Sequence, residues 1–120
     1  MSVQNNLRVA VYCQTSCHCP DLITVQRFTI SEALRERCDL PPIIRVYADD
    51  GRCPDTQVRE QFQTMLLDIG AGLIDCIAVM GRQRLAHRDV DYLELKRFLD
   101  RRGVAVILCE QAPAQFVRVT

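Results

Sequence analysis

Val9-Ala10-Val11-Tyr12-Cys13, running on into Gln14-Thr15-Ser16, is the stretch on which the reading of this chain turns. An apolar run without alternation suits a strand buried on both faces, and such strands belong to parallel sheets. With the strand set at Leu7–Cys13, Ser16 lies just beyond its end. Open α/β sheets bind their ligands outside the C-terminal ends of the strands, so a hydroxyl there is well placed for chemistry.

Outward from this strand the pattern alternates. Pro20 suits the first turn of a helix, and Ile23, Gln26, Ile30, Ala33 and Leu34 follow at roughly helical spacing until Pro41-Pro42. Ile43–Tyr47 reads as a second strand, and Asp49-Asp50-Gly51 with Cys53-Pro54-Asp55 as a loop. Val58, Phe62, Met65, Leu66 and Ile69 give the strongest helical periodicity, closed by Gly70-Ala71-Gly72. Leu73–Met80 is a third strand. Tyr92, Leu95 and Leu99 share a helix face that ends at Gly103, and Val104–Cys109 is a fourth strand. The tail, Glu110–Thr120, has no strong pattern. The expectation is one α/β domain over residues 1–120, three layers deep, with a mostly parallel sheet of four or five strands flanked by helices. Ser16, Asp49 and the Arg82-Gln83-Arg84 segment then fall after three strand ends on one edge. Polar residues at strand ends are also what any fold of this class shows.

Composition narrows the function. Fifteen basic residues balance fifteen acidic ones, whereas a free-standing nucleic-acid binder carries a basic surplus. No apolar run approaches a membrane span, and the polar start Met1-Ser2-Val3-Gln4-Asn5-Asn6 is no signal peptide, so the expected location is the cytoplasm and no membrane partner is expected. The seven cysteines are odd in number, and Cys13, Cys76 and Cys109 lie inside apolar runs, which suits buried reduced thiols. Cys13, Cys17, His18 and Cys19 are too crowded to converge on one zinc ion, and no second ligand pair follows. A thiol phosphatase would need an arginine where Cys19 stands, and a receiver domain an aspartate near Met80-Gly81. No strand is followed by a Gly-x-Gly-x-x-Gly loop. Neither metal nor cofactor is expected.

Several segments together resemble the catalytic domain of serine recombinases, the resolvase/invertase family. Tyr12-Cys13-Gln14-Thr15-Ser16 is similar to that family's Tyr-Ala-Arg-Val-Ser, and Gln26-Arg27 to the Gln-Arg of its first helix. Val46-Tyr47-Ala48-Asp49-Asp50-Gly51 resembles its second strand and acidic loop. Arg59-Glu60-Gln61-Phe62-Gln63-Thr64-Met65-Leu66 resembles the Arg-Pro-x-Phe-x-x-Met-Leu that begins its second helix. Asp68-Ile69-Gly70-Ala71-Gly72-Leu73-Ile74-Asp75 is similar to Asp-Ile-x-Ala-Gly-x-Ile-Asp, Arg84-Leu85 to the Arg-Leu of Asp-Arg-Leu-Ser-Arg, and Arg102-Gly103-Val104 to Arg-Gly-Val before the last strand. The resemblance runs from about Arg8 to Glu110, and the order and spacing of the segments carry it.

The resemblance implies that a serine attacks a DNA phosphodiester and forms a 5′-phosphoserine link, with arginines stabilising the charge that builds on the phosphate oxygens. It makes Ser16 the nucleophile, Arg59 and Arg84 the phosphate ligands, and Gln26 and Asp49 their supports. It also implies DNA, a second copy or a full-length recombinase as partners. Three matching positions depart from the family: Gln14 and His87 replace arginines, and Gln83 replaces an aspartate. Losing one transition-state donor costs ~3–4 kcal/mol, so a degenerate site, weak or inactive in cleavage, is expected. Arg82, His87 and Arg88, the last one helical turn from Arg84, are the candidates for compensation. Family members continue into a long dimerisation helix and a DNA-binding part, and none is expected within these residues. The alternative is a non-catalytic interaction or regulatory protein that uses the fold to pair with itself or with a full-length recombinase.

Overall fold

The computed structural model describes residues 6–51 and 59–109. Their elements run β1 (Arg8–Thr15), α1 (Pro20–Arg37), β2 (Ile43–Asp50), α2 (Glu60–Gly70), β3 (Cys76–Val79), a single 3-10 turn (Arg82–Arg84), α3 (Asp89–Arg101) and β4 (Ala105–Leu108). The strands form one sheet in the order β2-β1-β3-β4, with every pair parallel. The strand–helix alternation of the sequence produces this arrangement, because parallel neighbours need a crossover between them.

β1 is central and buried from Val9 to Cys13. Its residues alternate between two cores. Ala10 and Tyr12 join Phe62, Met65, Ile69 and Leu99 under α2 and α3. Val9, Val11 and Cys13 join Ile30 and Leu34 under α1. The molecule is thus three layers, helix on both faces of the sheet, as expected. At the opposite end of β1 from Ser16, the Arg8 guanidinium and backbone N–H both donate to the Asp75 carboxylate, which ties β1 to β3.

Several boundaries differ from expectation. β1 continues through Gln14 and Thr15, and β2 through Asp49 and Asp50, since these residues pair in register, Gln14 with Asp49 and Thr15 with Asp50. Asp49 therefore lies inside a strand, where the sequence places it in a loop. β3 and β4 are shorter than expected, with Leu73 exposed ahead of β3. The start of β2 is exposed from Ile43 to Val46 because it forms an outer edge of the sheet. α1 ends at Arg37, before Pro41-Pro42 is reached. Gly72 and Gly103, with φ of 78° and 71°, turn the chain after α2 and α3 as anticipated. Val58, Cys53-Pro54-Asp55 and the tail Glu110–Thr120 lie outside the described residues. Among the described residues no helix is long and apolar enough to cross a membrane.

Burial also sets the thiol chemistry. Cys13 and Cys76 are pushed up to about 11 by burial, and Cys109 is raised by the same cause. A rise of two pH units from the ordinary thiol leaves about a hundredfold less thiolate, the reactive form. Iodoacetamide on the folded protein is therefore expected to label the exposed Cys17 well ahead of these three. Peptide mapping by mass spectrometry checks the order, and equal labelling of Cys13 and Cys17 contradicts it.

Candidate active site

Ser16 follows the last residue of β1 and is exposed. Gln14, two residues before it, belongs to a connected set. Gln26, buried on α1, turns its carboxamide onto the main chain of Gln14: Oε1 accepts the Gln14 N–H at 3.1 Å and Nε2 donates to the Gln14 carbonyl at 2.9 Å. A carboxamide is the side chain that can give and accept at once, so glutamine suits this position. The same carbonyl accepts Arg84 Nη1 at 3.1 Å, and the Arg84 carbonyl in turn accepts Arg59 Nη1 at 3.0 Å. Gln26, Gln14, Arg84 and Arg59 are therefore joined in one chain of contacts between the interior of α1, the end of β1, the 3-10 turn and the start of α2. A carbonyl takes up one N–H of a guanidinium and leaves its positive charge in place.

Arg59 is the N-cap residue of α2, with its guanidinium carbon 3.8 Å from the centre of the Phe62 ring and 5.9 Å from that of Tyr12. Stacking on a ring occupies the face of the guanidinium and leaves its N–H donors in the plane, available to oxygen. The spacing Arg59–Phe62, one helical turn, signals this contact in the sequence, which the motif reading passed over.

Asp49 bonds the first turn of α2, next to Arg59 in the chain. Its Oδ1 accepts the Gln61 N–H at 2.9 Å, and its Oδ2 accepts the Phe62 N–H at 3.0 Å and the Tyr12 hydroxyl at 2.7 Å. It is buried, and it serves α2 as an N-cap supplied from a distant strand, where a carboxylate also meets the positive end of the helix. Burial, then the Asp49 bond, raises the Tyr12 hydroxyl far above an ordinary tyrosine, so it stays a donor. Among the described residues no buried side-chain nitrogen or oxygen lacks a hydrogen-bond partner.

The three replacing residues are also in place. The Gln14 carboxamide folds onto the Thr15 carbonyl at 3.2 Å, and Gln83 and His87 are exposed. The helix expected to carry both Arg84 and Arg88 does not form. Arg88 caps α3 rather than sharing a helix with Arg84, and it pairs with Asp91 at 2.8 Å. Arg82 pairs with Asp89 and lies over Tyr92. Both cations are held toward α3. Asp50, placed in a turn by the sequence and given no role there, ends β2 and accepts the Cys19 N–H. Ser16 itself does not cap α1, whose N-cap is Cys19.

No curated protein matches the chain. Solved structures do. The N-terminal catalytic domain of TP901-1 integrase is similar with a TM-score of 0.75 and 20% identity, over 87% of this chain and 79% of that one. A resolvase family site-specific recombinase from Streptococcus pneumoniae gives 0.73 and 22%, over 88% and 74%. The C-terminal catalytic domain of ISC1926 TnpA, an IS607-like serine recombinase, gives 0.71 and 16%, over 93% and 76%. At these identities the likeness shows the fold. The family model described as "Resolvase, N terminal domain" matches residues 9–117, from the first buried residue of β1 to a point beyond β4. The sheet order, the layers and this match agree: the chain belongs to the resolvase family, as a member of its N-terminal domain.

Proposed function

We propose that residues 1–120 form one catalytic-type domain for DNA strand cleavage and rejoining, working in the cytoplasm with a degenerate site that cleaves weakly. Ser16 is the nucleophile, Arg59 and Arg84 hold the scissile phosphate, and Gln26 and Asp49 position them. The observation that carries this is the contact chain Gln26–Gln14–Arg84–Arg59 at the end of the strand that leads into Ser16. Arg84 grips the β1 end two residues before Ser16, and Arg59 is joined to Arg84, so two guanidiniums are linked where an anionic phosphate would need them.

In the step itself a bond forms between Ser16 Oγ and phosphorus while the bond from phosphorus to the 3′-oxygen breaks. The serine proton ends on the leaving 3′-hydroxyl. One phosphodiester replaces another, so no energy-rich cofactor enters. The positions of Gln14, Gln83 and His87 lack the charges that would stabilise the transition state fully, and this limits the rate.

The test is covalent attachment of labelled DNA, resistant to denaturant, for wild type against Ser16→Ala. A trace of adduct in the wild type and none in Ser16→Ala is the expected result. The second reading, a non-catalytic pairing protein, draws on Val25 and Phe28, 56% and 65% exposed on α1. It is the one left standing if no Ser16-dependent adduct forms, even on a nicked or supercoiled site delivered by a full-length recombinase.

A further inference from the structure

Asp50 is a residue to which the site reading gives no part, yet it touches both ends of the loop that carries Ser16. Its Oδ1 accepts the Thr15 hydroxyl and the Cys19 N–H, each at 2.7 Å, and its Oδ2 faces His18 Nδ1 at 3.0 Å. Thr15 precedes Ser16 and Cys19 opens α1, so one carboxylate oxygen clamps the segment from either side. We propose that Asp50 is a positioning residue, a latch that holds the 16–19 loop against the end of β2 and so sets where the Ser16 hydroxyl points; this builds on Ser16 as the nucleophile.

The neighbouring glycine completes the latch. Gly51 donates its N–H to the Thr15 carbonyl at 3.2 Å and has a φ of 68°. A Cβ placed on it would lie 2.1 Å from the His18 nitrogen and 2.4 Å from the His18 Cα, both backbone atoms that cannot swing aside. The loop therefore rests directly on the main chain of β2's end, and Asp50 is the side chain that keeps it there. Hydrogen bonds to an ionised acceptor are about twice as strong as neutral ones, and this one gathers two donors on one oxygen. The Cys19 N–H first, then the Thr15 hydroxyl and His18, hold the Asp50 carboxyl below the usual carboxylate range against the opposing effect of burial, so it is ionised at neutral pH.

A turn residue with only a local structural role would alter stability alone. A latch alters the loop, and asparagine should rescue it, because its Oδ1 can still accept from Thr15 and Cys19. Three variants test this by amide NMR and by the adduct assay: Asp50→Ala, Asp50→Asn and Thr15→Val. In Asp50→Ala the Cys19 amide is expected to exchange at least about tenfold faster. The Ser16 Cα and Cβ shifts should move, while amides of the buried part of β1 keep their protection. Adduct yield at saturating DNA should fall at least about tenfold, with affinity for DNA unchanged. Asp50→Asn should stay within about threefold of wild type in each readout, and Thr15→Val should show a smaller change of the same kind, which keeps the test open if Asp50→Ala does not fold. Wild-type Cys19 exchange and Ser16 shifts in Asp50→Ala and Thr15→Val overturn the latch, as does an Asp50→Asn protein as altered as Asp50→Ala. Absence of any wild-type adduct counts against Ser16 as nucleophile, and the NMR readouts then decide the latch by themselves.

Discussion

Gln14→Arg is expected to raise Ser16-dependent DNA attachment by about a hundredfold or more, the worth of one transition-state donor. The substitution is unusually safe for the surrounding structure. Position 14 is fixed through its main chain, by both ends of the Gln26 carboxamide and by Arg84. The side chain contributes only its bond to the Thr15 carbonyl, so exchanging it leaves the strand end where it is. A third guanidinium beside Arg59 and Arg84 adds repulsion in the free protein, which a bound phosphate relieves. The gain should therefore exceed any loss of stability and should shrink as salt is raised. Residues of one catalytic unit do not act additively, so the triple variant Gln14→Arg, Gln83→Asp, His87→Arg should exceed the product of the single changes. Quantifying the denaturant-resistant adduct decides the matter. A triple variant with no more adduct than wild type would show that these three positions are not what limits the site.

Asp49→Ala is expected to be the most damaging single change to the framework, costing about 3 kcal/mol. Three donors lose their acceptor at once: the Tyr12 hydroxyl and the backbone N–H groups of Gln61 and Phe62. Tyr12 is fully buried, and the α2 N-terminus is left without a side-chain cap, since Arg59 supplies none. For a chain of this size the loss corresponds to a fall in Tm of about 10 °C or more. Asp49→Asn should recover only part of it. Each carboxylate oxygen accepts a backbone N–H, so whichever way the amide is turned, its NH2 group faces a donor. Urea melts of the two variants check the order. Stability within about 1 kcal/mol of wild type for both would mean that α2 is capped by other means.

The layers and the parallel sheet were legible because β1 and β3 are unbroken apolar runs and α2 has a clear periodic face. The ends of β1 and β2 were not. Asp49-Asp50-Gly51 has the composition of a turn, and only contacts to Tyr12, Thr15 and Cys19, more than 30 residues away in sequence, show why two aspartates can sit at the end of a strand. Similarly, Ser16 and Arg84 stand out by their place at strand ends, and Gln26 and Arg59 only by resemblance to a family, whereas the contacts that join Gln26, Arg59 and Arg84 run through main-chain groups, which have no signature in a sequence. The grouping of Arg88 with Arg84 failed for a local reason. The chain leaves the 3-10 turn before α3 begins, so a spacing of four residues does not place both on one helical face.

The order of the strands has a further consequence, for the time at which the site is made. β1 is synthesised first, yet it is the central strand and gains its second neighbour only when β3 follows. Arg84, which grips the Gln14 carbonyl, comes 70 residues later in the chain. At about 5–20 residues per second, a ribosome needs roughly 4–14 seconds to cover that distance, and longer before Arg84 clears the exit tunnel. Through that interval the apolar run Val9–Cys13 can gain α1 and α2 but lacks its β3 neighbour and the cover of α3. The central strand thus stays open along one edge until β3 is made, and a chain truncated before β3 should be bound by chaperones rather than folded.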